Sequence, residues 1–296
     1  MTSLLPQLDR SATRKVTTAT LLSYREQGRK VVFLTAYDYP TAVFADRAGV
    51  DILLVGDSLA MTMLGHPSTV AVTLEEMLVF TRAVCRGARR PLVIGDLPFL
   101  SYQASDPDAV RSAGAFIAAG CDAVKCEGGA SIAPRVRAMT DAGIAVMGHI
   151  GLTPQRLGQL GGYRVQGKTL KAVEQLAADA AALVAAGIFA LLLEAVPVEA
   201  AAYVRESVGI PVYGIGAGPL LDGQLVISHD ILGTFVGDIR PRFVRRYAEV
   251  GEEITSAFRC YADEVRSGRF PAPEHWYSID PADEADIRLA RETLTR

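Results

Sequence analysis

The sequence predicts an α/β chain folded as a single-domain (βα)8 TIM barrel, with an N-terminal helix and a charged C-terminal tail. Three observations carry that expectation. Short, continuous apolar runs recur, among them Ile52-Leu53-Leu54-Val55, Leu92-Val93-Ile94 and Ala190-Leu191-Leu192-Leu193. A run apolar on both faces reads as a strand buried on both sides, as in a parallel sheet. Eight such runs can be counted, and each but the last is closely followed by a helix-like stretch, which is the spacing of β–α units. The length of 296 residues accommodates the ~250 typical of the barrel. The doubly wound open sheet is the alternative, and periodicity alone does not separate the two. Composition stays even and no Pro/Gly/Ser linker divides the chain, so one domain is expected.

Taken in order, residues 18–27 read as a short helix stopped by Gly28. The first strand spans 31–36, and a helix over 40–48 is closed by Gly49. After a strand at 52–56 comes a loop over 58–72 containing Met61, Met63, Leu64 and His66. Thr73 opens the next helix, with Glu75 and Glu76 in its first turn, where exposed N–H groups and the positive helix end favour them. The alternation continues with strand 92–95, helix 107–119, strand 123–126, helix 131–142 and strand 145–148. A long polar loop then runs to Thr169. The alanine-rich stretch 170–186 favours helix, followed by strand 189–193, helix 198–208 and strand 212–215. The last strand is expected at 224–228 and a long terminal helix at 243–267. The resulting division is a flexible N-terminus over 1–17, the catalytic barrel over 18–277 and a charged tail over 278–296, with 280–296 a solvated helix or disordered.

Hydrophobic residues make up 50% of the chain and charged residues 21%, enough for a sizeable core. The net charge of -3 and pI near 5.9 argue against a nucleic-acid binder. The cysteines, Cys85, Cys121, Cys126 and Cys260, form no C-x-x-C pair and are expected to be reduced, as in a cytosolic protein. No apolar stretch approaches the ~18 residues of a membrane span, and residues 1–15 lack the apolar core of a secretory signal. A cytoplasmic protein with neither membrane nor nucleic-acid partner is expected.

The apolar runs share an ending. Asp57 follows Val55-Gly56, Asp96 follows Ile94-Gly95, Glu127 follows Cys126, and Glu194 follows Leu193. In a barrel all strand carboxyl ends meet on one face, where the chemistry sits. Converging carboxylates repel one another unless a positive group lies among them. Oxygen ligands without a His or Cys cluster favour Mg²⁺ over zinc. The plainer reading, that each acid merely caps the following helix, weakens as the number of acids grows. Lys125 and Glu127, two apart on one strand, point to the same side, and Cys126 points away. Lys125 is then either the ion-pair partner of Glu127 or a binder of a substrate carboxylate. Gly214-Ile215-Gly216-Ala217-Gly218 does not match a dinucleotide fingerprint and reads as close packing or ligand approach. His149 is read as either a supporting or a catalytic residue. Met61, Met63 and Leu64 line an apolar pocket or pack a loop.

Several stretches together resemble the ketopantoate hydroxymethyltransferase family. They include Leu34-Thr35-Ala36-Tyr37-Asp38, Val55-Gly56-Asp57-Ser58-Leu59, Asp96-Leu97-Pro98-Phe99, Val124-Lys125-Cys126-Glu127-Gly128-Gly129 and Gly148-His149-Ile150-Gly151-Leu152-Thr153-Pro154-Gln155. Gly161-Gly162-Tyr163-Arg164-Val165-Gln166-Gly167 and the Gly214–Gly218 run extend the likeness to about residues 18–277. The resemblance implies a (βα)8 barrel in a homo-oligomer, commonly a decamer. It implies Mg²⁺ at Asp57, Asp96 and Glu127, a keto acid held by Asp57, Ser58, Asp96 and Lys125, and Glu194 as proton acceptor. It also implies 5,10-methylenetetrahydrofolate as co-substrate in a hydroxymethyl transfer to 3-methyl-2-oxobutanoate that gives 2-dehydropantoate, a step of pantothenate biosynthesis. The chain departs from the family pattern at Ala60, where glycine is usual, and at Phe80, where histidine is usual. Those departures leave open a paralogue acting on another 2-oxo acid. A Mg-dependent lyase or mutase of the phosphoenolpyruvate mutase/isocitrate lyase superfamily is the second enzymatic reading. A non-enzymatic scaffold is disfavoured, because collected carboxylates destabilise a metal-free fold.

Overall fold

The apolar runs become eight parallel strands: β1 (Val31–Thr35), β2 (Ile52–Val55), β3 (Leu92–Asp96), β4 (Ala123–Glu127), β5 (Val146–Gly151), β6 (Ala190–Glu194), β7 (Val212–Ile215) and β8 (Gly223–Val226). Each strand pairs with the next, and β8 pairs with β1, closing the barrel. Closure excludes the open doubly wound sheet. This computed structural model describes residues 14–237 and 241–294.

Strand alternation sorts side chains into two layers. Phe33, Ile52, Leu54, Leu92, Ile94, Met147, Leu192 and Tyr213 fill the barrel interior. Leu53, Val93, Val124, Cys126, Leu191 and Leu193 face the surrounding helices. The inward series on β3 runs Leu92, Ile94, Asp96. On β4 it runs Ala123, Lys125, Glu127, on β5 Met147, His149, and on β6 Ala190, Leu192, Glu194. The interior is therefore apolar towards the strand N-termini and ionisable at their carboxyl ends. Cys126 points outward, as expected, and all four cysteines are free.

The opposite end of the barrel is sealed by a different set of acids. Asp51, Asp122 and Asp222 each precede a strand, and each accepts a backbone N–H from the first or second residue of a neighbouring one. The donors are Val32 (3.0 Å), Val93 (2.8 Å) and Val212 (2.9 Å). Cations surround these acids: Arg29 and Arg90 at Asp51, Lys15 at Asp122, and Arg25 and Arg205 at Asp222.

Several helix starts match their sequence signals. Thr73 and Glu76 form a reciprocal capping box on the helix Leu74–Gly87, and Asp38 accepts the Thr41 N–H at the start of Tyr39–Arg47. Each such cap is worth ~1 kcal/mol.

The differences are informative. β3, β4 and β6 run one residue further than expected, so their terminal acids are strand residues rather than loop residues. β5 extends to Gly151, because the ladder continues with Glu127 opposite His149 and Gly151 opposite Glu194. The terminal helix is Val250–Arg266, not 243–267. The Tyr247 N–H is donated to the Ile231 carbonyl at 2.8 Å, a tertiary bond that competes with helix extension. Of the segment expected to be flexible, residues 1–13 lie outside the described residues. Lys15 and Val16, by contrast, are tied to the Pro91 and Arg90 carbonyls, and Thr17 caps the helix Thr18–Glu26.

The chain divides into one compact unit ending at Tyr247, which holds the barrel, and a second beginning at Ala248. Within the second unit, Val250–Arg266 and Glu284–Leu294 are helices with no buried residue. Residues 295 and 296 of the expected tail lie outside the described residues. Among the described residues no helix is long and apolar enough to cross a membrane.

Candidate active site

A cavity of about 670 Å³ opens at the carboxyl ends of the strands, and Asp57, Ser58, Asp96, Lys125, Glu127, His149 and Glu194 all line it. Every site residue expected from sequence is therefore brought to one place. The register explains the convergence: Asp96 lies opposite Lys125, and Glu127 opposite His149, on adjacent strands.

Lys125 is buried, and its Nζ donates to Asp96 Oδ1 at 2.7 Å and to Glu127 Oε1 at 3.3 Å. The expected partnership with Glu127 exists, but Asp96 is the nearer acid. Asp96 Oδ2 accepts the backbone N–H of Asp57 at 3.0 Å. Tyr37 Oη and Ser58 Oγ are 2.7 Å apart, which fixes the Ser58 hydroxyl beside Asp57.

Charge on this floor is out of balance. Burial, then the proximity of Asp96 and Glu127, push the Asp57 carboxyl well above the usual carboxylate range. Burial also raises Asp96, although Lys125 opposes it. Burial disfavours charge on Glu127 too, but Lys125, His149 and the Gln155 N–H overcome it and bring its carboxyl down to about 2. Burial disfavours the Lys125 ammonium, yet Asp96, Glu127 and Asp57 together hold it protonated.

His149 links the floor to Glu194. Its Nδ1 is 3.4 Å from Glu127 Oε1 and its Nε2 is 3.3 Å from Glu194 Oε2. Neither nitrogen meets hydrogen-bond alignment with these oxygens, so the contacts are close charge pairs rather than formed bonds. Burial and the Lys125 charge push the imidazole down, but the two flanking carboxylates prevail and carry it up to about 9. Glu194 is held by unusual backbone. The next residue, Ala195, has φ +48, a left-handed conformation that a non-glycine residue adopts only where its surroundings impose it. Ala195 donates to the Ile215 carbonyl and accepts from the Gln166 N–H, both at 2.9 Å. Across the ladder, a Cβ on Gly151 would fall 2.4 Å from the Glu194 carbonyl oxygen, so only glycine permits this approach.

The donor set suits a hard divalent cation in its chemistry: Asp57, Asp96 and Glu127 are buried carboxylates with one ammonium among them. Each retains oxygen lone pairs beyond the bonds described. Among the described residues, no three His, Cys, Asp or Glu side chains already surround one point closely enough to hold a metal. Mg²⁺ commonly takes one or two carboxylates and keeps water in its remaining positions, a demand this set can meet.

Gln155 is a supporting residue whose role was not foreseen. Its Nε2 donates to Asp57 Oδ2 and to the Leu97 carbonyl, each at 2.9 Å, and its N–H donates to Glu127 Oε2 at 3.0 Å. The Tyr102 hydroxyl accepts the Glu127 N–H at 2.9 Å. The only sequence signal for Gln155 was its place after Leu152-Thr153-Pro154; Tyr102 carried none. Met61 lines the cavity, whereas Met63 and Leu64 are exposed outside it. Gly216 lies under the Phe243 ring, where a Cβ would come within 2.6 Å, so close packing explains part of its glycine-rich run. Ala60 is buried in the outer core and Phe80 packs against that core. Neither departure lines the cavity.

A family model described as ketopantoate hydroxymethyltransferase matches residues 15–273. The 3-methyl-2-oxobutanoate hydroxymethyltransferase of Moorella thermoacetica is 53% identical over 262 residues, covering 88% of this chain and 97% of the relative. The protein of the same name from Carboxydothermus hydrogenoformans is 50% identical, covering 90% of this chain and 97% of the relative. Among solved structures, a phosphonopyruvate hydrolase aligns with a TM-score of 0.59 at 15% identity, covering 93% of this chain and 97% of that one. A 2,3-dimethylmalate lyase, described as a PEP mutase/isocitrate lyase superfamily member, aligns at 0.57 and 17% identity, covering 94% and 98%. At such identities the likeness is one of fold.

Proposed function

Since the chain belongs to the ketopantoate hydroxymethyltransferase family and is a hydroxymethyl-transferring enzyme, we propose that it joins the one-carbon unit of 5,10-methylenetetrahydrofolate to 3-methyl-2-oxobutanoate. The product is 2-dehydropantoate, an intermediate of pantothenate biosynthesis. Water supplies the new hydroxyl, and tetrahydrofolate leaves. In this reading the enzyme acts in the cytoplasm as a homo-oligomer, a decamer by the resemblance.

The observation that carries the reading is the line Glu127–His149–Glu194, which sets one acid apart from a buried floor of acids and ammonium. Asp57, Asp96 and Glu127 would hold Mg²⁺, directly or through water. The bound ion would supply Lewis-acid polarisation of the keto oxygen, acidifying the adjacent C3–H. Lys125 has three donors, and Asp96 and Glu127 engage two of them. The third is free for the substrate carboxylate. Ser58, fixed by Tyr37, donates to the same acid. Glu194 removes the C3 proton, and the imidazole of His149, 3.3 Å away, keeps its carboxyl aimed at the floor. The carbanion of the keto acid then forms the new C–C bond.

The test is exchange of the C3 proton of 3-methyl-2-oxobutanoate for deuterium, followed by NMR with Mg²⁺ present and folate absent. Wild-type protein should exchange it. Glu194→Gln should slow exchange by about 10³-fold, within the 10²–10⁴ that a positioned base contributes, while still binding the keto acid. Undiminished exchange in that variant would remove Glu194 from the role of base.

A further inference from the structure

The cavity has two electrostatic halves, and the proposed chemistry uses only one. Its floor is the acid cluster around Lys125. Its mouth carries Arg164, from the loop between β5 and β6, and Arg242, from the chain after β8. Among the described residues, neither guanidinium makes an ion pair or hydrogen bond. The third charged side chain at this mouth, Asp230, is half-buried and faces the charge of Arg246 rather than either of these arginines. Exposed aromatic rings stand beside them: Tyr163 is 53% exposed and Phe243 43%. Phe243 is seated on Gly216, and the Tyr163 hydroxyl lies 3.9 Å from Met61 Sδ.

A small keto acid on the floor leaves most of the 670 Å³ unfilled, a volume within the ~300–1,000 Å³ that encloses drug-sized ligands. A second ligand that suits this mouth must be anionic and must present a flat ring. Planar guanidinium groups match carboxylates in a forked geometry, and aromatic side chains stack on rings. Building on the folate reading above, we propose that Arg164 and Arg242 bind the glutamyl carboxylates of the folate co-substrate, with Tyr163 and Phe243 against its aminobenzoyl ring. The methylene group then points towards the floor and the charged tail towards solvent. Further glutamyl units extend along the same basic rim, so the enzyme favours polyglutamylated over monoglutamylated folate.

The experiment has two readouts on the full-length protein. The first is the dissociation constant for tetrahydrofolate bearing one or three glutamyl units, measured by calorimetric titration. The second is folate-independent C3 exchange. Arg164→Gln and Arg242→Gln should each weaken binding of the triglutamate about tenfold, the equivalent of ~1.4 kcal/mol, and narrow its advantage over the monoglutamate. C3 exchange should stay at the wild-type rate, which also reports an intact fold. Arg→Lys at either position should recover only part of the binding, because an ammonium keeps the charge and loses the fork, and added salt should weaken triglutamate binding in the wild type more than in the variants. Triglutamate affinity within twofold of wild type in both variants overturns the proposal, as does failure of wild-type protein to bind the triglutamate. Failure of the reaction assignment itself appears differently, as absent C3 exchange in wild-type protein that still binds folate.

Discussion

The two ends of the barrel carry acids in similar numbers and treat them in opposite ways. At the strand N-termini, Asp51, Asp122 and Asp222 face five cations, Arg25, Arg29, Arg90, Arg205 and Lys15, and each also holds a backbone N–H of a neighbouring strand. At the carboxyl ends, Asp57, Asp96, Glu127 and Glu194 have, among the described residues, only Lys125 and His149 within ion-pair distance. One end spends its charge on closing the sheet. The other keeps uncompensated charge where a cation and an anionic substrate can use it. A fold that concentrates its tension at one face can change chemistry there while the other face maintains the barrel.

The comparison can be broken or sharpened by substitution, in order of expected effect on stability. Lys125→Met leaves Asp96 and Glu127 buried without a counter-charge and should cost about 3–5 kcal/mol in a urea melt. An unchanged midpoint would mean that Lys125 does not neutralise the floor. Asp222→Ala, at the other end, strands the Val212 N–H and the Arg25 and Arg205 guanidiniums. Because Arg205 can turn towards water, the loss should be about 2–3 kcal/mol, with kcat of the folded fraction preserved. A parallel fall in kcat would erase the division of labour between the ends.

Adding Mg²⁺ at ten times its Kd should stabilise the wild-type protein by about 1.4 kcal/mol, read as a thermal shift that a chelator reverses. Asp222→Ala should keep that shift and Asp57→Asn should lose it. The smallest stability change is expected for Asp57→Asn itself. Removing a carboxylate that Asp96 and Glu127 already disfavour should raise stability by up to about 1 kcal/mol, while C3 exchange falls at least about 100-fold. Marked destabilisation by this variant would show that Asp57 supports the fold rather than the chemistry.

Much of this was written in the chain at short range. The alternation of apolar runs with helix-like stretches, the acids after Gly56, Gly95, Cys126 and Leu193, and the outward aim of Cys126 follow from a period of two residues along a strand. Strands were located to within a residue or two, apart from β5, and the capping pair Thr73 and Glu76 marked its helix start. The errors lie where a distant partner decides. β5 runs on to Gly151 because β4 and β6 supply partners for it, and the last helix starts at Val250 because Tyr247 bonds to Ile231.

The sequence by itself therefore determined the layer of each side chain and the end of the barrel at which the chemistry gathers, because both depend on local periodicity. Only the tertiary structure decided which groups touch. It placed Lys125 nearer to Asp96 than to Glu127, set His149 between Glu127 and Glu194, and brought Gln155 under Asp57 from 98 positions away. Those distances are fixed by the stagger of neighbouring strands as the sheet closes, a property of the closed barrel that no single segment encodes.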